Sequence, residues 1–277
     1  MPPMQTMETI LKRLRDLPIL NSEAFRLIEY CSSPKPAFEV LEGMVKNNPN
    51  LAGQIVRLAN SAFYKRSKPT ETLMDALVLL GLTTLKQVFV QSFYASVGKM
   101  LNTQSRVLEH GRECALLAEF IGRGAGLDAA ECGRHRLGGL LHDIGKQFLA
   151  FFFPQPYEQV TRMMKLERTP SFQAEKKIFG VTHQEVGATL CARWNFPSFL
   201  VDIIKAHHAE GPGGPPPGAL PVFCANGFLH QRDGEAFQPW EAPLRAWFAA
   251  RRVTLPWKNL VDEFRAFLRT HTGSPLA

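Results

Sequence analysis

No long apolar run interrupts this 277-residue sequence. The most apolar stretches, 76–82 and 148–153, fall far short of the roughly 20 residues that a helix needs to cross a bilayer. The opening MPPMQTMETILKRL carries Glu8 and lacks the apolar stretch of a signal peptide. A cytoplasmic protein without a membrane partner is therefore expected. A C-x-x-C pair is also missing. The five cysteines, Cys31, Cys114, Cys132, Cys191 and Cys224, are odd in number and widely spaced, which predicts buried, reduced thiols rather than disulfides or a zinc-thiolate site. Charge of one sign is not concentrated. Lys and Arg number 32 against 25 Asp and Glu, and the only acid-free basic stretch lies in 51–70, with Arg57, Lys65, Arg66 and Lys68. That stretch reads as a solvated loop, with a phosphate or acidic-partner contact as the alternative. Aromatic residues do not interleave with the basic ones and no helix-turn-helix signature stands out, so nucleic acid is not an expected partner.

Sustained period-2 alternation is absent too, which excludes a sheet. Helical spacing fills the chain instead and predicts about 13 helices in an all-α fold. Leu27, Ile28 and Cys31 share the apolar face of a helix opened by Asn21 or Ser22. A second helix stops at Asn47-Asn48-Pro49 and a third at Asn60-Ser61. A fourth ends at Gly81, and a fifth covers 84–99. In the second half, helices are expected over 107–125, 128–145 (with Asp128 as N-cap), 156–167, 172–179, 182–194, 197–207, 220–230, 243–251 and 258–270. Phe63 and Tyr64 read as core residues after an Asn60 C-cap, with a contact surface as the alternative. Phe151-Phe152-Phe153-Pro154 reads as core plus helix stop, and Trp194 as core. EGPGGPPP at 210–217 cannot be regular helix and is either a linker or a lid.

The chemistry-bearing residues form an ordered series: His110, then His142-Asp143, then His183, then His207-His208. A His-Asp pair late in an apolar helix is unusual, because a buried carboxylate costs free energy unless it is paired or metal-bound. Imidazoles with a carboxylate are the ligand set of Zn, Mn, Fe or Ni. Lys146, one turn further, could meet a phosphate oxygen. The bland alternative is a set of histidines that pair or cap helices within an inactive scaffold.

Leu140-Leu141-His142-Asp143-Ile144-Gly145-Lys146, with His110 before it, resembles the HD superfamily of metal-dependent phosphohydrolases. The longer histidine series resembles its HD-GYP group of cyclic di-GMP phosphodiesterases. A closer resemblance, over about 14–230, is to the HDOD family. It rests on Leu17-Pro18-Ile19-Leu20, the 45–51 segment VKNNPNL, the 57–64 segment RLANSAFY, the 76–81 segment ALVLLG, His183-x-Glu185-Val186-Gly187-Ala188, Arg193-Trp194-x-x-Pro197 and His207-His208. The resemblance implies an all-helical bacterial signalling protein. An N-terminal helical bundle over 1–104 would pack on an HD-like bundle over 105–277. Metal ligands would be His110, His142, Asp143, His183, His207, His208 and Asn226, with Asp143 and Lys146 as catalytic residues. Asn226 stands where the superfamily places an aspartate. The Asp-Gly-x-Gly-Tyr-Pro run of the cyclic di-GMP enzymes is missing after His208. Two functions follow as expectations. One is regulation through a protein partner or a phosphorylated small molecule without robust catalysis. The other is metal-dependent phosphoester hydrolysis.

Overall fold

The computed structural model describes residues 8–10, 12, 23–31, 33–61, 63–64, 69–100, 105–193, 196–208, 214–234, 239–254, 256 and 259–272. The described residues are helical with no strand, so the fold is all-α. Compactness divides the chain into a unit over 17–99 and a second over 100–277 that also takes in 1–16. Lys65, Arg66 and Lys68 of the basic stretch, Trp194, and residues 210–213 of the Pro-Gly run lie outside the described residues.

In the first unit α1 (Glu23–Cys31), α2 (Phe38–Val45), α3 (Pro49–Ala59) and α4 (Leu73–Met100) close over Leu27, Leu41, Leu51, Ile55, Leu77 and Phe89. Asn48 caps α3: its Oδ1 accepts from Leu51 N at 3.1 Å, and its Nδ2 donates to Glu23 of α1 at 2.9 Å. Asn60, as expected, terminates α3. Its side chain also clamps the far end of the following loop, accepting from Thr70 N at 2.8 Å and donating to Thr70 O at 2.9 Å. Gly81 sits at φ +69° inside α4 and interrupts it, a conformation that glycine adopts without steric cost. By length and hydropathy, Leu73–Phe93 passes the test for a membrane-crossing helix. Counting only uninterrupted apolar residues missed this segment; the Gly81 break divides it. Phe63 corrects the core assignment made above, since it is 69% exposed in the turn after α3.

The second unit comprises α5 (Ser105–Gly124), α6 (Ala129–Leu141), α7 (Ile144–Phe152), α8 (Pro154–Glu167), α9 (Ser171–Phe179), α10 (His183–Arg193), α11 (Ser198–Ala206), α12 (Leu220–Arg232), α13 (Glu241–Ala250) and α14 (Leu260–Thr272). Its axis is α12, in which every residue from Leu220 to His230 is buried. Apolar residues of α5 (Leu117, Ile121), α13 (Leu244, Phe248) and α14 (Phe264, Leu268) close around Phe223, Phe228 and Leu229. Burial of such side chains stabilises the unit by about 1.5–3 kcal/mol each. All five cysteines are buried free thiols.

Glycines let three helix pairs approach closely. A Cβ on Gly139 would lie 2.7 Å from Ala115 Cα, so α6 meets the α5 backbone there. A Cβ on Gly145 would collide with the His183 carbonyl oxygen, and Gly187 N lies 2.9 Å from the same point. Helices α7 and α10 therefore touch backbone to backbone. Gly138 similarly admits Ile203 of α11.

His135 of α6 is 7% exposed, and burial lowers its pKa from 6.5 to about 4. The unfolded chain therefore binds a proton between pH 6.5 and 4 that the folded chain refuses. Stability contributed by neutral His135 is present above pH 6.5 and lost as pH falls toward 4, by about 2 kcal/mol at pH 5 and about 3 kcal/mol by pH 4. Urea unfolding at pH 7.5 and 5 should show a smaller acid loss in His135→Gln than in the wild type. An equal loss in both would sink the assignment.

Candidate metal centre

The expected helix over 128–145 is cut in two. Helix α6 opens as predicted on Asp128, in a capping box with Glu131: Glu131 N donates to Asp128 Oδ1 at 2.7 Å and Asp128 N to Glu131 Oε2 at 3.2 Å. It ends at Leu141, and α7 begins at Ile144. His142 and Asp143 thus occupy the break rather than a helix interior. Asp143 is the N-cap of α7, yet its side chain caps nothing. The carboxylate is turned toward the histidines instead.

All eight residues singled out from the sequence converge here. His110 comes from α5, His183 from the start of α10, His207 and His208 from the end of α11, and Asn226 from the middle of α12. They form two groups that share Asp143: His110, His142 and Asp143, and then Asp143, His183, His207 and His208, each with ligand atoms within 4.8 Å of one another. In the first, His110 Nε2 lies 3.3 Å from His142 Nε2 and 3.0 Å from Asn226 Oδ1, while His142 Nε2 lies 3.4 Å from Asp143 Oδ2. In the second, His183 and His207 each place Nε2 3.5 Å from Asp143 Oδ1, and 3.0 Å from each other. Lys146 Nζ donates to Asp143 Oδ2 at 2.9 Å.

The outer nitrogens fix the tautomers. His142 Nδ1 meets Gly139 O and His207 Nδ1 meets Ile204 O, both at 2.7 Å. A carbonyl only accepts, so each Nδ1 must carry the proton. His183 Nδ1 lies 2.6 Å from Glu175 Oε2, which also accepts from His183 N at 2.7 Å. The Nε2 atoms are thereby aimed inward, and neutral His207 offers its Nε2 lone pair there. Burial pulls His207 down to about 4 and His183 and His208 well below 6.5, so these rings stay neutral. Burial also lowers His110, helped by His142 and His230. His183 Nε2 and His207 Nε2, 3.0 Å apart, are close enough for one to donate to the other or for both to face one cation. Asp143 Oδ1, buried and without a hydrogen bond, faces the same point. Burial opposes the charge on Asp143, but His142 and Lys146 hold its pKa well below 3.8. Burial likewise opposes the charge on His142, and Asp143 outweighs it and pushes His142 up to about 10. This donor set, imidazoles and one carboxylate with oriented outer nitrogens, fits a divalent transition metal.

Sequence reasoning missed two residues. Glu175, fully buried in α9, orients His183, and burial pushes its pKa up to about 8. Its signal was spacing: Phe172, Glu175 and Phe179 share one face, although the run QAEKK resembles a solvated surface. His230 places its ring, tilted, 5.3 Å from that of His110 and 6.0 Å from that of His208. It sits one turn beyond Asn226 on α12.

A helical bundle thus gathers five histidines and an aspartate around one point, a cluster that could hold a metal ion. The HDOD domain family model matches residues 17–210, and the chain belongs to that family. An HDOD domain protein of unknown function from Geobacter sulfurreducens superposes with a TM-score of 0.64 at 25% identity, covering 95% of this chain and 94% of that one. A Treponema pallidum uncharacterized protein is 22% identical over 251 residues, 88% of this chain and 48% of its own length. Ribonuclease Y from Pseudothermotoga lettingae is 27% identical over 195 residues, 69% of this chain and 31% of its own length. The chain thus spans less than half the length of these two curated relatives.

Proposed function

We propose that this chain is a cytoplasmic regulatory protein whose His-Asp centre holds one or two divalent transition metal ions and whose working contact is with a phosphorylated small molecule or a protein partner. The observation that carries this reading is the sharing of the Asp143 carboxylate between two groups of inward-aimed imidazoles. The second group, Asp143, His183, His207 and His208, offers four buried ligands, the closed arrangement of a holding site. The first offers His110, His142 and Asp143, with the neutral Asn226 oxygen in place of an anionic ligand.

A second reading, phosphoester hydrolysis, is favoured by Lys146. Its ammonium lies beside the shared carboxylate, where it could steady charge on a phosphoryl oxygen. A divalent ion bound at the centre would supply Lewis acidity and a bound water of lowered pKa. The chain's part would be to hold Asp143 ionised through Lys146 and to orient the imidazoles through Gly139, Ile204 and Glu175. Both readings agree on metal. Mass spectrometric metal analysis of the purified protein should find about one to two transition metal ions per chain, lost in the double variant His142→Ala, Asp143→Ala. A protein that stays metal-free after dialysis against Mn, Fe and Zn would overturn both. His142-dependent turnover of bis(p-nitrophenyl) phosphate by the loaded protein would put the second reading ahead of the first.

A further inference from the structure

A cavity of about 690 Å³ opens beside the centre. Its walls are the outer turns of α9 (Phe172, Gln173, Lys176, Lys177), the start of α10 (Thr182, Gln184, Glu185) and the end of α11 (Lys205, His208). Two features distinguish it from an ordinary surface cleft. First, His208 belongs at once to the cavity wall and to the Asp143 ligand group, so the cavity reaches the centre. Second, the charge is unbalanced. Three lysines face one acid, Glu185, and that acid is taken by Lys176 at 3.2 Å. Among the described residues, Lys177 and Lys205 have no carboxylate partner, and both are exposed.

Gln184 holds this wall in place. Its Nε2 donates to Lys205 O at 2.8 Å and to His208 O at 3.4 Å, which ties α10 to the end of α11. Phe172 supplies an apolar surface, its ring 5.2 Å from that of His208. The volume lies within the range of small-molecule sites. Cations at the rim, an apolar wall and a metal-ligand histidine at the inner end suit a compact anion with an apolar body.

We infer that this cavity is the binding site for the phosphorylated small molecule, a ligand of nucleotide size whose phosphate lies between Lys177 and Lys205 with its apolar part against Phe172. The inference deepens the functional reading above and rests on it for the use of the ligand, though not for its binding. The phosphate would face His208 from the cavity side, next to the metal-ligand group rather than inside it.

Calorimetry on the full-length protein tests this, with inorganic pyrophosphate, 5′-AMP and adenosine as probes. Each titration is run on chelator-treated protein and on manganese-loaded protein. The expected result is that pyrophosphate and 5′-AMP bind in both states. Adenosine should bind at least about tenfold more weakly, and the double variant Lys177→Gln, Lys205→Gln should weaken both phosphorylated probes by about tenfold or more. Both lysines are exposed, so the variant should keep its circular dichroism and melting temperature. Undiminished binding by the double variant overturns the inference, as does failure of both phosphorylated probes in both states. Lysine-dependent binding to a protein that takes up no metal supports the cavity while the metal reading fails. Metal uptake without lysine-dependent binding sinks the cavity and leaves the metal centre standing. A single-stranded RNA 12-mer that binds through these lysines and is not displaced by 5′-AMP would also overturn the small-molecule assignment.

Discussion

Asp143→Asn should empty both halves of the centre at once. The change keeps the side chain's size and removes one negative charge, yet the carboxylate is the only anionic ligand in either group. Metal affinity should fall by about 100-fold or more, since loss of an outer-shell partner alone costs 10- to 100-fold. Single-group changes provide the contrast. His110→Ala touches only the first group and His208→Ala only the second, so each should release only part of the bound metal. Metal analysis beside calorimetric titration checks this. Equal, partial losses in all three variants would mean that the two groups do not share Asp143 functionally. Folding is a separate matter. Lys146 and His142 would lose their charge partner, so Asp143→Asn should also melt at a lower temperature than the metal-free wild type.

Gly145→Ala should be among the most damaging single-methyl additions in the chain. The new Cβ would strike the His183 carbonyl and crowd Gly187 N. Both are backbone atoms, so no side chain can swing away. Overpacking of this kind costs about 3 kcal/mol or more, against a total stability of about 5–15 kcal/mol. The melting temperature should drop by about 6–12 °C. Gly43→Ala in α2 is the control. A Cβ there meets nothing within 4 Å, so the change should be neutral or raise stability by up to about 1 kcal/mol. Similar melting temperatures for the two variants would refute the close crossing of α7 and α10. Gly145→Ala should also weaken metal binding, because the crossing sets His183 against Asp143.

Helical spacing made the fold legible, and the ligand series was legible because histidines stand out among apolar helix positions. What escaped notice is instructive physically. The break between α6 and α7 has no proline or helix-stop glycine to announce it, since His142 is in ordinary αR geometry and only Asp143 departs, at φ −97° and ψ 12°. Glu175 hid in a run whose charged neighbours, Lys176 and Lys177, are exposed. Phe63 misled because aromatic residues usually bury, and nothing local states that the turn after α3 points outward. The tight glycines carry no local signal, because close approach depends on the partner helix, which is distant in sequence.

The placement of α12 has a consequence for how the molecule is made. The family model stops at residue 210, but the rod around which the second unit closes begins at Leu220. Helices α5 and α6, synthesised about a hundred residues earlier, expose their apolar faces until that rod leaves the ribosome. The 17–99 unit is continuous in sequence and has no such wait. Birth of this protein is therefore staged, with the histidine-bearing half assembled last and most in need of chaperone cover while it waits.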